Sequence, residues 1–566
     1  MTALLTTLSP ERLAKHHDSG HWQNDTIYDL VCEHAQRTPD AVAVRDRFRA
    51  VDYRSLRQSA DDLAQDLRNR GVRAGQRVAV WMPSRAESLV ALLACSRNGY
   101  VCCPSLHRDH TVGDIVSLLT RMRAVALVAE TGYGANADKI DLEEAIKSID
   151  SLVHFYKLPP LTEAGAPLFS GCYETPDAGN KFDFDPVSTP DAPVYLAFTS
   201  GSSGEPKGVL HSNNTVLANS RSIVADWNMT CDSVIYSMSP LSHNLGFGAM
   251  INAFTVGATL VLHDLPREDS LVERLDSTRA TFLFGVPTHA IDLLGALEER
   301  TDITLDRLTG FRISGAPVPE SVCERLLRHG IVPQSGYGMT EACSHHYTLP
   351  DDEPQRVVET SGRACSSYEI KVFSRDNSDI EEKIGEVGQI GGRGASLMLG
   401  YFDDQAATED SFNADGWFMT GDLGWVDEAG YLRVTGRKKD VIIRGGHNIF
   451  PARIEALAVR HPDIERVAAL PVSDPRLGER VCLAAVARDG ATLDPTAILL
   501  HLDAAGLSKY DMPEFFLQLD EIPLTASGKI LKRALVEWVE QGRVVPQPVR
   551  FDPATAAKDS SGTASI

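Results

Sequence analysis

The sequence predicts an α/β protein in which a large N-terminal domain of helix-covered parallel sheets precedes a small C-terminal α+β domain. Short apolar runs alternate with amphipathic segments over the first half of the chain, which is typical of parallel strands buried on both faces. The 566 residues include 43% hydrophobic and 23% charged residues, enough to form more than one core. We therefore expect at least two folding units.

The predicted N-terminal elements follow one another as strand, helix and strand. Residues 78–81 form an apolar run that predicts a buried strand. Ser84 and Glu87 have the spacing of an S-x-x-E capping box, which predicts that a helix begins there. Residues 100–103 predict the next strand. Further predicted strands lie at residues 193–198, 233–238, 258–262 and 281–285, with a predicted helix after Pro287.

Glycine and short apolar runs in residues 386–434 predict a small β subdomain. Strands and helices then alternate again, which predicts a separate C-terminal domain. We expect an N-terminal domain of residues 1–438, a C-terminal domain of residues 439–546 and a disordered tail of residues 547–566. The C-terminal strands are predicted at residues 441–444, 467–471 and 481–487, and the helices around Ile454 and Leu457, from Pro495, and around Leu531, Leu535, Trp538 and Val539.

Charge and composition exclude several classes of function. The formal net charge of −22 argues against binding to nucleic acid or to anionic membranes. The chain has no apolar run long enough to span a membrane, and its first residues do not resemble a signal peptide, so we expect a cytoplasmic protein. The ten cysteines are scattered without a C-x-x-C pair, which favours reduced thiols over a zinc site or a disulfide framework.

The most informative segment is T-S-G-S-S-G-E-P-K-G, residues 199–208, directly after the predicted strand at 193–198. Glycines allow backbone N–H groups to approach a phosphate, hydroxyls add donors, and Lys207 adds a positive charge. The segment is not a common P-loop, because Gly208 stands where a Ser or Thr would hold magnesium. The predicted phosphate-binding residues are Thr199, Ser200, Gly201, Ser202, Ser203, Gly204 and Lys207.

This decapeptide resembles the phosphate loop of the adenylate-forming superfamily, which includes acyl- and aryl-CoA synthetases, adenylation domains of peptide synthetases and beetle luciferases. Other segments similar to the family's motifs occur in order from about Tyr53 to Lys529, nearly the whole chain. The resemblance implies the superfamily's fold, with a mobile C-terminal domain that adopts two poses. It also implies ATP, Mg²⁺ and coenzyme A as cofactor or co-substrates.

The resemblance assigns nucleotide-binding roles to two further segments. Residues 314–317 and 337–341 resemble the segments that flank adenine. Tyr337 would stack on the base, the Thr340 hydroxyl would bond the α-phosphate, and Glu341 would bind magnesium. The implied residues of these segments are Gly315, Ala316, Pro317, Tyr337, Gly338, Met339, Thr340 and Glu341. Asp422 and Arg437 would bind the ribose, since a carboxylate accepts hydrogen bonds from its two hydroxyls and a guanidinium offers a fork of donors.

The C-terminal motifs imply the remaining machinery. Lys529, in P-L-T-A-S-G-K, resembles the family's mobile catalytic lysine, whose ammonium stabilises the charge that develops on the α-phosphate. Lys439 resembles the hinge between the two poses. Arg444, Gly445 and Gly446 resemble the loop beside the pantetheine tunnel. His447 departs from the family pattern, since many relatives have glutamate at this position. We expect it to be either a general base or a structural or tunnel-lining residue.

The implied reaction is ATP-dependent formation of an acyl adenylate from a carboxylic acid, followed by transfer of the acyl group to coenzyme A. One alternative acceptor is the phosphopantetheine of an acyl carrier protein supplied in trans. A non-catalytic nucleotide-binding protein is a second alternative, which the combined presence of Glu341, Asp422, Arg437 and Lys529 argues against. Luciferase-like oxygenation is a third alternative that the motifs leave open.

The resemblance points to more than one class of substrate acid. Residues 240–248 resemble the segment that enters the acyl pocket in this family. The predicted acyl contacts are His243 and Asn244 of this segment, together with Gly336. The His-Asn pair is similar to that of hydroxyaryl-acid ligases, whereas the following L-G-F-G resembles ligases of medium-chain or carbocyclic acids. His243 and Asn244 could equally cap or turn the chain, because asparagine is a common turn residue. The acid is therefore expected to be medium-chain, carbocyclic or aryl.

Overall fold

The computed structural model describes residues 9–161, 168–169, 188–199, 206–266, 269–445, 447–488, 490–524 and 530–551. The chain divides into two compact units. The first unit comprises Met1–Lys371, Gly391–Phe418 and Ala429–Leu432, and the second unit comprises Val372–Ile390, Met419–Glu428 and Arg433–Ile566. The domain boundary expected between residues 438 and 439 stays a prediction.

The helices of the described residues vary from a single turn to almost five turns. They are α1 (Pro10–Asp18), α2 (Ile27–Arg37), α3 (Tyr53–Asn69), α4 (Ala86–Asn98), α5 (Val112–Met122), α6 (Leu142–Ala145), α7 (Asn213–Asp226), α8 (Asn244–Val256), α9 (Leu271–Thr278), α10 (Pro287–Glu299), α11 (Glu320–Arg328), α12 (Pro354–Glu359), α13 (Gln405–Asp410), α14 (Pro451–Ala458), α15 (Pro495–Ala504) and α16 (Lys532–Glu540). Two short 3₁₀ helices occupy Ile146–Ser148 and Lys438–Asp440.

The strands of the described residues form four sheets. They are β1 (Val42–Arg45), β2 (Ala50–Asp52), β3 (Arg77–Trp81), β4 (Val101–Cys103), β5 (Ala124–Glu130), β6 (His154–Leu158), β7 (Pro193–Thr199), β8 (Lys207–Ser212), β9 (Val234–Ser237), β10 (Thr259–Leu262), β11 (Phe282–Gly285), β12 (Gly310–Ser314), β13 (Val332–Met339), β14 (Cys343–Tyr347), β15 (Arg363–Ala364), β16 (Tyr368–Phe373), β17 (Gly388–Gly394), β18 (Gly400–Tyr401), β19 (Phe418–Val426), β20 (Leu432–Arg437), β21 (Ile442–Arg444), β22 (His447–Ile449), β23 (Ile464–Asp474), β24 (Gly478–Ala487), β25 (Phe515–Leu519) and β26 (Gln547–Pro548).

The first unit contains two large sheets with parallel centres. One sheet has the order β15-β14-β13-β12-β11-β9-β10-β1-β2, and the other has the order β18-β8-β7-β4-β3-β5-β6. Alternate residues of a strand belong to different cores: Val78 and Val80 pack with residues of α4 and α8, whereas Ala79 packs with residues of α5. Side chains of successive strand residues point to opposite faces. Helices therefore cover both faces, which confirms the predicted α/β class.

The second unit holds most of a four-stranded sheet, β16-β17-β19-β20, which includes strands from the glycine-rich stretch predicted as a β subdomain. It also holds a C-terminal sheet in the order β22-β21-β24-β25-β26, in which β23 pairs with β24. Along β24, Leu483 packs with residues of α14 and α15, and Cys482 packs with a residue of α16. This mixture of antiparallel and parallel pairs is the expected α+β arrangement.

The structure corrects two predictions of local structure. The capping box is wrong, because α4 begins at Ala86 and Glu87 is buried as an ion-pair partner, 2.8 Å from nitrogens of both Arg49 and Arg85. Burial alone would raise the pKa of Glu87, but these two guanidinium groups lower it to about 2.

The disordered tail was predicted to begin too early in the sequence, because Gln547–Pro548 pair with β25 as strand β26. Residues 552–566 lie outside the described residues.

Nine of the ten cysteines lie in the part of the chain that the structure describes. The nine cysteines in this part of the chain are free, and seven of them are buried. Among the helices in the described part of the chain, none has the length and apolar character that crossing a membrane requires.

Candidate active site

The strands on either side of the predicted phosphate loop are paired. β7 and β8 are antiparallel and bring Thr199 opposite Lys207, where the Thr199 hydroxyl donates to the Lys207 carbonyl oxygen at 3.5 Å. The Lys207 ammonium lies 4.6 Å from the ring centroid of Tyr401. A cation over an aromatic face is favourable, which holds this lysine at the end of the loop. Ser200, Gly201, Ser202, Ser203 and Gly204 lie outside the described residues.

A buried histidine joins the phosphate-loop strand to the second nucleotide segment. His211, in β8, has its Nε2 atom 2.7 Å from the carbonyl oxygen of Thr340 and its Nδ1 atom 3.0 Å from the Thr215 hydroxyl. A carbonyl oxygen only accepts, so Nε2 carries the proton. Burial lowers the pKa of His211 to about 4, although the bond to Thr340 opposes the shift. The imidazole is therefore neutral at neutral pH and fixes the backbone at Thr340.

Glu341 is held by a tyrosine from β18. The Tyr401 hydroxyl lies 3.0 Å from Glu341 Oε1, and the Met398 amide donates to the Glu341 carbonyl at 2.7 Å. Burial raises the pKa of Tyr401 and the Glu341 charge raises it further, so this hydroxyl stays protonated and donates. Carboxylate oxygens are the ligands that Mg²⁺ prefers, and Glu341 therefore fits the expected metal.

The two predicted adenine segments leave neighbouring parallel strands at the same edge of the sheet. β12 pairs with β13 in parallel, with Ser314 opposite Gly336, and the Ser314 hydroxyl donates to the Gly336 carbonyl at 3.0 Å. Gly315, Ala316 and Pro317 follow β12 directly, whereas Gly336, Tyr337, Gly338 and Met339 are the last residues of β13. Gly338 permits a close approach, because a Cβ there would lie 2.2 Å from the Cys343 carbonyl oxygen. Carboxyl ends of parallel strands are the usual ligand edge of such sheets.

The predicted acyl contacts His243 and Asn244 lie at the start of α8. His243 is the N-cap residue but makes no side-chain capping bond, and its ring stacks on His107 at a centroid distance of 4.2 Å. Burial lowers the pKa of His107 to about 3, and the neighbouring His243 contributes. The Asn244 amide donates to the Met339 carbonyl at 3.4 Å. The structure thus brings Asn244 against the nucleotide segment.

In the second unit, the two predicted ribose ligands contact each other. Arg437 Nε lies 3.3 Å from Asp422 Oδ1, with the Asp422 side chain 10% exposed and the Arg437 side chain 53% exposed. The Asp422 amide donates to the Thr420 hydroxyl at 3.1 Å, which orders the turn that carries the carboxylate. Half of the guanidinium side chain therefore remains accessible to a ligand.

The predicted hinge and tunnel residues also belong to the second unit. Lys439 lies in the 3₁₀ helix Lys438–Asp440. Burial lowers its pKa, and the charge of Arg437 lowers it further.

The predicted tunnel residues lie around the turn between β21 and β22. Arg444 donates twice to Glu514, at 2.7 and 2.9 Å. Gly445 has a φ of +56° in the turn between β21 and β22, which favours glycine. His447 Nε2 lies 2.8 Å from Asp511 Oδ1. Gly446 and Lys529 lie outside the described residues.

Sequence reasoning did not assign a role to three of these side chains: His107, His211 and Tyr401. Each is joined to a predicted site residue that is 60 or more positions away in the sequence. No local motif marks such a pairing. For His211 the available signal was the polar run His211-Ser212-Asn213-Asn214, which ends β8 and begins α7, because such a run is unusual in a buried position.

Comparisons with known proteins cover nearly the whole chain. The family described as AMP-binding enzyme matches residues 31–402, and the AMP-binding enzyme C-terminal domain matches residues 453–529. A medium-chain fatty-acid–CoA ligase of Escherichia coli (strain K12) is 31% identical over 93% of this chain and 92% of its own length. An indoleacetate–CoA ligase of Aromatoleum aromaticum is 31% identical over 89% and 96%. ATP-bound MatB from Rhodopseudomonas palustris superposes with a TM-score of 0.80 at 27% identity, over 91% of this chain and 99% of MatB.

Proposed function

Because this chain belongs to the family of AMP-binding enzymes and is an AMP-forming acid–CoA ligase, we propose that it activates a medium-chain, carbocyclic or aryl carboxylic acid. The class of acid is proposed from the relatives, which include a medium-chain fatty-acid–CoA ligase and an indoleacetate–CoA ligase. The observation that carries the adenylating chemistry is the arrangement of Thr340 and Glu341, which His211 and Tyr401 hold beside the strands of the phosphate loop. Such a side chain arrangement suits a polyanionic nucleotide and its metal ion.

The first half-reaction forms the acyl adenylate. A carboxylate oxygen of the acid attacks the α-phosphorus of ATP, the bond to the bridging oxygen breaks, and pyrophosphate leaves. Lys207 and the phosphate loop bind the phosphates, the Thr340 hydroxyl bonds the α-phosphate, and Lys529 stabilises the charge that develops there. Glu341 would hold Mg²⁺, and the ion would neutralise phosphate charge. Asp422 and Arg437 bind the ribose hydroxyls.

The second half-reaction transfers the acyl group. The thiolate sulfur of coenzyme A attacks the acyl carbonyl carbon, the bond to the phosphate oxygen breaks, and AMP leaves. The acyl adenylate is a far better acyl donor than the free acid, and a closed pocket protects it from hydrolysis. Arg444, Gly445 and Gly446 border the pantetheine arm in this proposal, with Lys439 as the hinge. A carrier-protein phosphopantetheine supplied in trans is the alternative acceptor.

The test is acid-dependent release of pyrophosphate from ATP, measured with medium-chain, carbocyclic and aryl acids, each with and without coenzyme A. We expect release that depends on one acid class, together with its CoA thioester when coenzyme A is present. Acid-dependent release of pyrophosphate without a CoA thioester would indicate that the acceptor is a carrier protein and not coenzyme A. Absence of turnover with every acid would overturn the proposed activity.

A further inference from the structure

A single arginine is buried at the centre of the nine-stranded sheet. Arg312, in β12, has no exposed surface, although its neighbours Phe311 and Ile313 pack in the apolar core beside α10 and α11. Because strand residues alternate in direction, the guanidinium points to the opposite face. There Nη1 donates to Gln334 Oε1 at 2.5 Å, and the guanidinium carbon lies 5.3 Å from the ring centroid of Tyr347.

Several buried polar atoms of this region have no hydrogen-bond partner among the described residues. Within the part of the chain that the structure describes, Arg312 Nε and Nη2 have no hydrogen-bond partner, and neither has Gln334 Nε2. The same holds for Nε2 of His345 and of His346 and for the Tyr368 hydroxyl, all buried. The two histidines contact each other through Nδ1 at 2.6 Å, and the His345 ring stacks on Tyr368 at 4.2 Å. We call Arg312, Gln334, His345, His346 and Tyr368 the buried polar cluster.

The buried polar cluster is costly unless something pairs with it. A buried cation without a counter-charge loses its hydration and gains little in return, and most buried polar atoms in folded proteins have partners. Among the described residues, no carboxylate forms an ion pair with Arg312, and the nearby Asp226 accepts from the Tyr347 hydroxyl at 2.7 Å. Burial lowers the pKa of Arg312 to about 10, so the group is still charged at neutral pH. Gln334 Oε1 is therefore the one side-chain oxygen of the described residues that accepts a hydrogen bond from this cation, and no anionic oxygen among them does.

The buried polar cluster adjoins the predicted acyl site. Arg312 is paired with Gln334 and lies two residues before Ser314, which is paired with Gly336. A Cβ at Gly336 would lie only 2.8 Å from Arg312 Nη2, so any larger residue at this position would press against the guanidinium. Tyr337, the predicted adenine contact, has its ring 5.2 Å from the His345 ring. Glycine at position 336 thus leaves Arg312 directly behind the predicted acyl contact.

We propose that the acyl pocket ends at the buried polar cluster and that the substrate acid carries an oxygen acceptor, a ketone or a second carboxylate, at the end distant from the reacting carboxylate. This inference rests on the proposed function and adds the chemical class of its acid. The forked guanidinium donors of Arg312 would bind the distant oxygen, with Gln334 Nε2 as a further donor. One of the two histidines adds another donor, because the Nδ1 contact between these neutral rings leaves a proton on only one of their Nε2 atoms. A site built to donate hydrogen bonds rejects analogues that lack the acceptor, because its own buried groups are then left unpaired.

The test compares acids of one shape with and without the distant oxygen. The chain series is octanoate, an oxo-octanoate with its ketone beside the chain end, and octanedioate. The ring series are cyclohexanecarboxylate and benzoate with their para-keto or para-acetyl and para-carboxy derivatives. In at least one series we expect kcat/KM for pyrophosphate release to be at least about tenfold higher for an oxygen-bearing acid than for the plain acid. The better of the keto and carboxy members identifies the acceptor.

Variants of Arg312 test whether this residue causes the preference for the oxygen-bearing acid. Arg312→Met should abolish the preference by lowering kcat/KM for the oxygen-bearing acid at least about tenfold while leaving the plain acid unchanged or improved. Arg312→Lys keeps the positive charge but loses the paired N–H donors of the guanidinium, so it should retain part of the preference for the oxygen-bearing acid. This variant also replaces Arg312→Met in the test if the Met variant does not fold. Phe311→Leu, in the same strand but on the opposite face, is the matched control and should leave the ratio between the acids unchanged.

Two kinds of failure are distinguishable. If no acid in any series releases pyrophosphate, the proposed function fails. If plain acids react and the oxygen-bearing acids react no better, the inference alone is overturned. A uniform loss with Arg312→Met across all acids, matched by Phe311→Leu, would likewise overturn the inference in favour of a structural role for the arginine.

Discussion

The Nε2 atom of His211 lies 2.7 Å from the backbone oxygen of Thr340, 129 positions further along the chain. This bond connects the strand after the phosphate loop to the segment that carries the predicted α-phosphate and magnesium ligands. Both ends are buried or partly buried, and the imidazole is neutral. A neutral donor can hold a backbone carbonyl here without adding a charge that would attract the phosphates away from their reacting position.

Replacing this histidine tests the connection. His211→Leu leaves the Thr340 carbonyl without its donor, a loss of about 1–3 kcal/mol for a buried group. We expect kcat/KM for ATP in acid-dependent pyrophosphate release to fall by about tenfold or more, since about 1.4 kcal/mol corresponds to tenfold. His211→Gln keeps an N–H donor and should retain more activity. Equal losses in the two variants would show that packing, and not the hydrogen bond, fixes Thr340.

Tyr401 has two separable contacts, a hydroxyl bond to Glu341 and a ring beneath the Lys207 ammonium. Tyr401→Phe removes the hydroxyl alone, so Glu341 should be less well oriented for magnesium. We expect the Mg²⁺ concentration needed for half-maximal pyrophosphate release to rise several-fold while the KM for ATP at saturating Mg²⁺ changes little. Tyr401→Leu also removes the aromatic face and should raise the KM for ATP. An unchanged Mg²⁺ dependence in Tyr401→Phe would contradict a role through Glu341.

Local sequence predicted the elements of this fold well because their signals are local. The apolar run at residues 78–81 and the strand before the phosphate loop were correctly predicted as β3 and β7. The capping-box prediction was wrong because the deciding contact is not local. Arg49, which lies 38 residues before Glu87, donates to the Glu87 carboxylate, so this carboxylate does not cap the helix. A capping box contributes about 1 kcal/mol, which a buried bidentate ion pair readily overrides.

The sequence motifs predicted the site residues themselves, but not the side chains that hold those residues in place. Thr340 and Glu341 follow a motif, whereas His211 and Tyr401 support them across long sequence separations that no local pattern encodes. Arg312 had a visible signal, because a charged residue within the run Gly-Phe-Arg-Ile interrupts an otherwise apolar parallel strand. Such an interruption indicates either an edge position or a functional polar group, and the sheet order excludes the edge.

The assignment of Lys529 to the first half-reaction is testable by separating the two steps. Lys529→Ala should abolish acid-dependent pyrophosphate release, because no ammonium then stabilises the α-phosphate, while thioester formation from supplied acyl-AMP stays largely intact. Lys532→Ala is the matched control, because the Lys532 ammonium pairs with Glu455 at 2.6 Å and should affect neither step selectively. Equal loss of both half-reactions in Lys529→Ala would refute a lysine that acts in one step alone.

Buried histidines of the first unit predict that it loses stability in mild acid. Burial lowers the pKa of His211 and of His263 to about 4, below the ordinary value of 6.5. Between these values the unfolded chain binds more protons than the folded chain, so stability falls as pH decreases from 6.5 towards 4, by at most about 1.4 kcal/mol per pH unit for each group. We expect the thermal unfolding midpoint to decrease from pH 7 to pH 5. His263→Phe should reduce this slope and the exposed His329→Phe should not; equal slopes in the two variants would contradict the assignment.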